Sequence, residues 1–272
     1  MLTAVPIIHV GFCHSGTTSL QENLFSRRSD LFYAGVPYRE LGGIFSYIKY
    51  QDTEQYDFAE TTRLKNGLIL DKMQAHQRLI ISDETLIEQP EIYYTPAMMP
   101  MRTIAERLYA LFGRGIVLFT LRNQLRYVIS NYLTLKKNYA TLANRTIEPF
   151  DAWFAGNHDQ VRNLFLRNLD PSNAIKIYQS VFGTEAVHVL PLELLLTEGT
   201  KAYLDRLGEI TGLEISGAEA KQYTPRNASP SHDIMLNAEQ RAIIRRRSMW
   251  GNAFVMRQFG LPLRDYGYPL PD

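Results

Sequence analysis

Ile7-Ile8-His9-Val10-Gly11-Phe12-Cys13-His14-Ser15-Gly16-Thr17-Thr18-Ser19-Leu20 is the stretch on which the reading of this chain turns. An apolar run enters a turn bounded by Gly11 and Gly16, and a helical pattern follows at once from Thr17. Such a strand-to-helix turn aims successive backbone N–H groups at one point, and the positive end of the helix dipole reinforces them. The segment therefore predicts an anion site suited to the phosphate or sulfate groups of a nucleotide. On this stretch alone, a plain turn with Ser15 or Thr17 as N-cap is the lesser alternative.

Thr17 follows Gly16 where a nucleotide triphosphatase loop, G-x-x-x-x-G-K-[ST], carries its lysine. The hydroxyls of Thr17 and Thr18 suit a phosphate held without a lysine–magnesium clamp. Further along, Gly115-Ile116-Val117-Leu118-Phe119-Thr120-Leu121 reads as a buried parallel strand, and Arg122-Asn123-Gln124-Leu125-Arg126-Tyr127-Val128-Ile129-Ser130-Asn131-Tyr132 follows it. With a helix from about Gln124, Arg126 and Ser130 share one face a turn apart, so a guanidinium and a hydroxyl can close on one phosphate. Ordinary surface charges at Arg122 and Arg126 are the alternative.

Taken together, the two segments resemble the cosubstrate-binding motifs of the sulfotransferases that use 3′-phosphoadenosine 5′-phosphosulfate (PAPS). In that family the first loop grips the 5′-phosphosulfate and an R-x7-S pattern grips the 3′-phosphate. The resemblance implies Gly11, Cys13, His14, Ser15, Gly16, Thr17 and Thr18, with Ser19 at the edge, at the 5′-phosphosulfate, and Arg122 with Ser130 at the 3′-phosphate. It continues more weakly through Tyr178-Gln179-Ser180-Val181-Phe182-Gly183, the strand Ala186-Val187-His188-Val189-Leu190, the turn Pro191-Leu192-Glu193-Leu194-Leu195, and a tail that includes Asn252-Ala253-Phe254 and residues 259–269. It implies transfer of a sulfuryl group from PAPS to a hydroxyl or amine of a small-molecule or carbohydrate acceptor, with 3′,5′-diphosphoadenosine (PAP) as product and no metal required. The implied fold is P-loop NTPase-like: α/β, one domain, a central parallel sheet flanked by helices.

One departure matters. Family members carry Lys, sometimes Arg, where this chain has His14. Protonated, His14 would replace that cation at the leaving group; neutral, it could act as base; as a third reading, the chain has lost transfer and only binds the nucleotide. The base implied by the resemblance lies in Leu79-Ile80-Ile81-Ser82-Asp83-Glu84-Thr85-Leu86, where a strand ends in adjacent carboxylates. Glu84 is the choice and Asp83 the reserve, since a carboxylate beside a partly buried site can have its pKa raised. The residues alone equally allow Ser82 or Asp83 to cap the next turn. His9, His76, His158, His188 and His232 lack a spacing that argues for chemistry. Arg241, Arg245, Arg246 and Arg247 precede Trp250 in a helical stretch; the family's basic C-terminal loop implies one of them at the 3′-phosphate, and a solvated helix face accounts for them equally.

Composition agrees with a globular enzyme: 272 residues, 45% hydrophobic and 21% charged, can bury a large core. A net charge of +1 offers no case for nucleic-acid binding, so an anion site must be local. Cys13 is the only cysteine and excludes an internal disulfide, as in a reducing compartment. The first strand starts near Val5, leaving no room for a signal peptide, and no apolar run approaches the roughly 20 residues that span a bilayer. A cytoplasmic enzyme of bacterial type is the expectation.

Strands are expected near residues 6–10, 78–81, 116–121 and 187–190, with helices over about 17–27, 58–77, 97–112, 124–139, 150–167 and 201–211. The chain reads as one sulfotransferase-like domain over residues 1–272, with 35–75 and 89–112 as acceptor-side insertions over the sheet edge. Aromatic and Met residues there, Tyr93 and Tyr94 among them, suit an acceptor site at the carboxyl ends of parallel strands. A P-loop kinase of a small metabolite and a non-catalytic nucleotide-binding protein are the competing functions. A homo-oligomer is open.

Overall fold

The computed structural model describes residues 4–36, 41–87, 99–142, 146–158, 169–224 and 234–272. Among them, β1 (Ile7–His9), β2 (Leu31–Gly35), β3 (Arg78–Ser82), β4 (Ile116–Leu121) and β5 (Val187–Pro191) pair in parallel in the order β2-β3-β1-β4-β5. Ile7 stands opposite Ile80 and Ile116, and His9 opposite Ser82 and Leu118, so β1 is central. Parallel neighbours require long crossovers, which place helices on both faces and bury the central strand completely. Period-two alternation sorts the side chains accordingly. Ile8, Ile81, Val117 and Phe119 enter the larger core, while Ile7, Ile80, Leu118 and Leu190 enter the opposite one.

The crossovers are α1 (Thr17–Asn23) after β1, α2 (Gly42–Tyr50) and α3 (Phe58–Lys65) after β2, and α4 (Met101–Phe112) after β3. After β4 come α5 (Gln124–Leu142), α6 (Phe150–His158) and α7 (Pro171–Phe182); after β5 come α8 (Leu192–Thr197), α9 (Gly199–Thr211), α10 (Gly217–Gln222) and α11 (Ala238–Phe259). α4 shows how the sequence dictates placement: Ile104, Ala105, Leu108, Leu111 and Phe112 recur at helical spacing and are the residues it buries. α7 starts on the Asp170 side-chain cap with Pro171 in its first turn, and α11 starts on an Asn237/Gln240 capping box and stops at Gly260, φ 64°. A third cluster, built on α5, α6 and the start of α11, holds Cys13 beside Tyr127 and Val128.

One expectation needs correction. No strand was expected at 31–35, yet β2 forms the sheet edge against β3; its alternation is half exposed, and it follows α1 and a 3-10 turn (Phe25–Arg27) that continue the helical pattern. The described parts of 35–75 and 89–112 lie between strands of the sheet. They are crossover helices, and Ile44, Phe45, Ile48, Ile69, Ile104 and Leu108 are fully buried in the larger core. Tyr93, Tyr94, His232 and residues 159–167 of the expected 150–167 helix lie outside the described residues. Among the described residues no helix is long and apolar enough to cross a membrane.

Candidate functional site

The chain leaves β1 outward to β2, returns to β3 beside β1, then crosses to β4 on β1's other side. In open α/β sheets a crevice forms outside the carboxyl ends at such a reversal. The loop after β1, the carboxylates after β3 and Arg122 after β4 all leave these ends.

Geometry accounts for the glycines of the loop. A Cβ on Gly11 would lie 1.8 Å from Thr120 Oγ1 and 2.7 Å from Thr17 Cγ2, so only glycine lets the loop sit on β4. Gly16 precedes α1 with φ 88°, a left-handed conformation, and the amino end of α1 has no side-chain cap. Thr17 and Ser19 are buried and Thr18 half-buried in that first turn. Cys13 is a buried filler. Ser15 faces inward: its hydroxyl donates to the Phe12 carbonyl and contacts Thr120 Oγ1 at 2.7 Å, and its N–H donates to Phe12 O at 3.2 Å. Ser15 thus builds the loop from below.

His14 is the one non-glycine residue with positive φ among those described, at 62°. Its Nε2 lies 3.3 Å from Asn131 Oδ1. Burial, with the nearby Arg122 adding to it and the Asn131 contact opposing, pulls its pKa down to about 4, so His14 is neutral at pH 7 in the free protein. Arg122 Nη1 donates to the His14 carbonyl at 2.9 Å, while its Nε is buried without a partner. The carboxylate nearest in effect, Glu193, is already engaged, accepting from the Asn123 N–H at 3.0 Å and from the Tyr268 hydroxyl. Ser130 is buried on α5. A cavity of about 240 Å³ is lined in part by Asn123, Arg126, Ile129 and Arg241, and neither Arg122 nor Ser130 is among its lining residues. Of the other arginines read from the sequence, Arg245 pairs with Asp272. Trp250 stands 63% exposed on α11.

The carboxylates after β3 divide. Asp83 has no exposed surface; it caps the 3-10 turn Glu84–Leu86 through the Thr85 N–H at 2.8 Å and pairs with Lys49 Nζ at 3.0 Å. Burial pushes the Asp83 carboxyl up and the Lys49 ammonium down. Asp83, the reserve base, is therefore committed to a buried pair and a cap, and Glu84 is the half-buried carboxylate that keeps access, with Gln21 Nε2 3.4 Å from its Oε2. Lys49 was missed by sequence reading. The signal was present: Ile44, Phe45 and Ile48 mark the buried face of α2, and Lys49 adjoins it.

His9, for which sequence spacing offered no role, is fully buried at the end of β1, with Nδ1 2.7 Å from Ser82 Oγ and Nε2 3.2 Å from Thr120 Oγ1. Burial lowers its pKa to about 3. Below its unfolded value the unfolded chain binds a proton that native His9 refuses, so stability falls as pH drops from 6.5 toward 3. The expected slope is about 1.4 kcal/mol per pH unit from His9, with His14 adding to it down to about pH 4. Urea unfolding at pH 7, 6 and 5 measures this, and a flat profile over that range would contradict neutral buried histidines.

The tail straps the other side of the crevice. Asn123 Nδ2 donates to the carbonyls of Tyr266 and Gly267, and Asn252 exchanges two hydrogen bonds with Gln124 and donates to Pro269 O. These contacts hold the turn that carries Arg122. Glu193, Asn123 and Asn252 were invisible as a unit in sequence, being far apart along it. Among the described residues, no group of three or more His, Cys, Asp or Glu side chains is arranged to hold a metal ion.

No protein-family model matches this chain, and no curated protein matches it. Among solved structures it is similar to a sulfotransferase from Alicyclobacillus acidocaldarius, with 16% identity, 98% of this chain and 100% of that one covered, and a TM-score of 0.62. The sulfotransferase domain from the curacin biosynthetic pathway aligns at 14% identity over 100% of both chains, TM-score 0.49. A mouse sulfotransferase complexed with PAP aligns at 14% identity over 97% of this chain and 80% of that one, TM-score 0.44. At such identities the fold is what is shared.

Proposed function

We propose that this protein is a sulfotransferase that takes a sulfuryl group from PAPS and passes it to a hydroxyl or amine of a small-molecule or carbohydrate acceptor. One observation carries the reading. The uncapped amino end of α1 and a guanidinium with an unpartnered buried Nε, Arg122, meet on the same loop at the sheet's reversal point. A ligand with two anionic groups would satisfy both, one group at the helix end and the other at the guanidinium. The fold shared with the Alicyclobacillus sulfotransferase supports it.

In this reading, backbone N–H groups of the loop from Gly11 to Thr18, other than those of Phe12 and Ser15, which donate to the Thr120 and Phe12 carbonyls, hold the 5′-phosphosulfate with Ser19 at the edge, and Arg122 with Ser130 holds the 3′-phosphate. Glu84 takes the acceptor's proton as the acceptor oxygen or nitrogen bonds to sulfur. The bond from sulfur to the bridging oxygen breaks, and PAP departs with that electron pair. His14 is neutral without nucleotide, and the charge of bound phosphates acts to raise its pKa, which is how it can serve the leaving oxygen. Positioning and electrostatics supply the rate.

Ligand-induced thermal stabilisation tests this, because binding to the native state raises stability by mass action. PAP is expected to raise the melting temperature more than ATP with magnesium does. Arg122→Ala is expected to weaken PAP binding roughly 10–100-fold, the loss of a charged hydrogen-bonding anchor. A shift with ATP and magnesium alone would replace this reading with a kinase. PAP binding without turnover of PAPS across an acceptor screen would leave a non-catalytic nucleotide binder.

A further inference from the structure

A buried polar chain runs beneath the anion loop, and its contacts admit one direction. Ser15 Oγ contacts the Phe12 carbonyl and lies 2.7 Å from Thr120 Oγ1. A carbonyl brings no proton, so Ser15 donates to it, and the proton between Ser15 and Thr120 comes from Thr120. Thr120 is then an acceptor toward His9 Nε2, 3.2 Å away, which must carry hydrogen. A neutral imidazole has one ring proton, so Nδ1 is bare and accepts from Ser82 Oγ at 2.7 Å. Ser82 Oγ accepts in turn from Gln21 Nε2 at 3.1 Å, and that same nitrogen lies 3.4 Å from Glu84 Oε2. Ser15, Thr120, His9 and Ser82 have no exposed surface, and Gln21 has 4%, so solvent does not replace a lost link.

We propose that His9 is a positioning residue: as an Nε2–H imidazole it is the central link of a one-way hydrogen-bond chain that joins the Glu84-bearing turn after β3 to the anion loop after β1. The role rests on the sulfotransferase reading, since it is the candidate base and the phosphosulfate loop that are set together. The chain draws one residue from each of α1, β3, β1 and β4 before reaching the loop. The loop backbone sits directly upon it: a Cβ on Gly11 would be 3.1 Å from His9 Nε2 as well as overlapping Thr120 Oγ1. Removing one link leaves buried donors and acceptors unpaired on both sides, and the loop shifts to recover them.

The test is a cycle of substitutions read in PAP affinity by calorimetry, because coupling is shown by non-additivity rather than by proximity. Ser82→Ala, outside the loop, is expected to weaken PAP about 5-fold and His9→Leu about 20-fold. In the double variant Ser82→Ala is expected to add nothing to His9→Leu. Factors that multiply, or a Ser82→Ala protein with wild-type affinity, overturn the proposal. If His9→Leu does not fold, Thr120→Val takes its place in the same cycle. A second measurement needs no nucleotide: imidazole ¹⁵N shifts of the wild type should report Nε2 protonated and Nδ1 bare from pH 5 to pH 8, and an Nδ1–H tautomer or an imidazolium overturns the chain. Failure of wild type to bind PAP would sink the sulfotransferase reading, while the ¹⁵N shifts would still decide the chain.

Discussion

Replacing Lys49 by Met is expected to lower the unfolding free energy by about 3–5 kcal/mol at pH 8, because it leaves the fully buried Asp83 without its cation. The surroundings cannot readily relax to wet the carboxylate. Arg107 Nη1 donates to the carbonyls of Tyr47, Ile48 and Gln51, and Met99 N–H donates to the Lys49 carbonyl, so the backbone carrying position 49 is pinned on both sides. Nor can Asp83 swing away while it caps the turn through Thr85. Without Lys49 the buried Asp83 carboxyl is pushed further above the ordinary carboxylate range, so between that range and its raised pKa the native state binds a proton that the unfolded state does not. The deficit should therefore shrink as pH falls toward 4 and grow as pH rises. Adding Asp83→Asn should return much of the loss by removing the unpaired charge. Urea midpoints for the two single variants and the double variant decide it. A small, pH-independent loss in Lys49→Met would mean that the ion pair does not hold α2 to β3.

Glu84→Gln is expected to lower kcat roughly 10²–10⁴-fold, the usual contribution of a positioned general base, while PAP affinity stays within about twofold of wild type. The amide has the shape of the carboxylate and can keep company with Gln21, so the fold around it should persist. Asp83→Asn should behave in the opposite way, losing stability first. The contrast follows from access: one carboxylate is half-buried at the crevice, the other has no exposed surface. The assay uses PAPS with the phenol, sugar or amine that an acceptor screen identifies. An active Glu84→Gln enzyme would remove Glu84 from the proposed mechanism, and an inactive but stable Asp83→Asn protein would reverse the two roles.

Much of this architecture was legible residue by residue. The apolar runs of β1, β3, β4 and β5 are buried on both faces, so they stand out as continuous hydrophobic segments, and their crossover helices show the spacing of one apolar stripe. Gly11 and Gly16 announced the loop because close backbone approach and a left-handed φ exclude other residues. β2 did not stand out, since an edge strand is half exposed and its pattern merges with the turn before it. The two carboxylates after β3 were visible as a pair, but which of them faces the crevice is a matter of Lys49, whose α2 packs on that strand end from 34 positions earlier.

The sequence by itself determined the parallel α/β order, the loop after β1 and the arginine after β4, because these depend on local periodicity, backbone freedom and short spacing. Only the tertiary structure decided that His14 is neutral, that Asp83 is sealed in an ion pair, that Ser15 faces beneath the loop, and that His9 links Ser82 to Thr120. Burial and partners set those properties, and both come from residues far apart in the chain that meet only once the sheet is assembled.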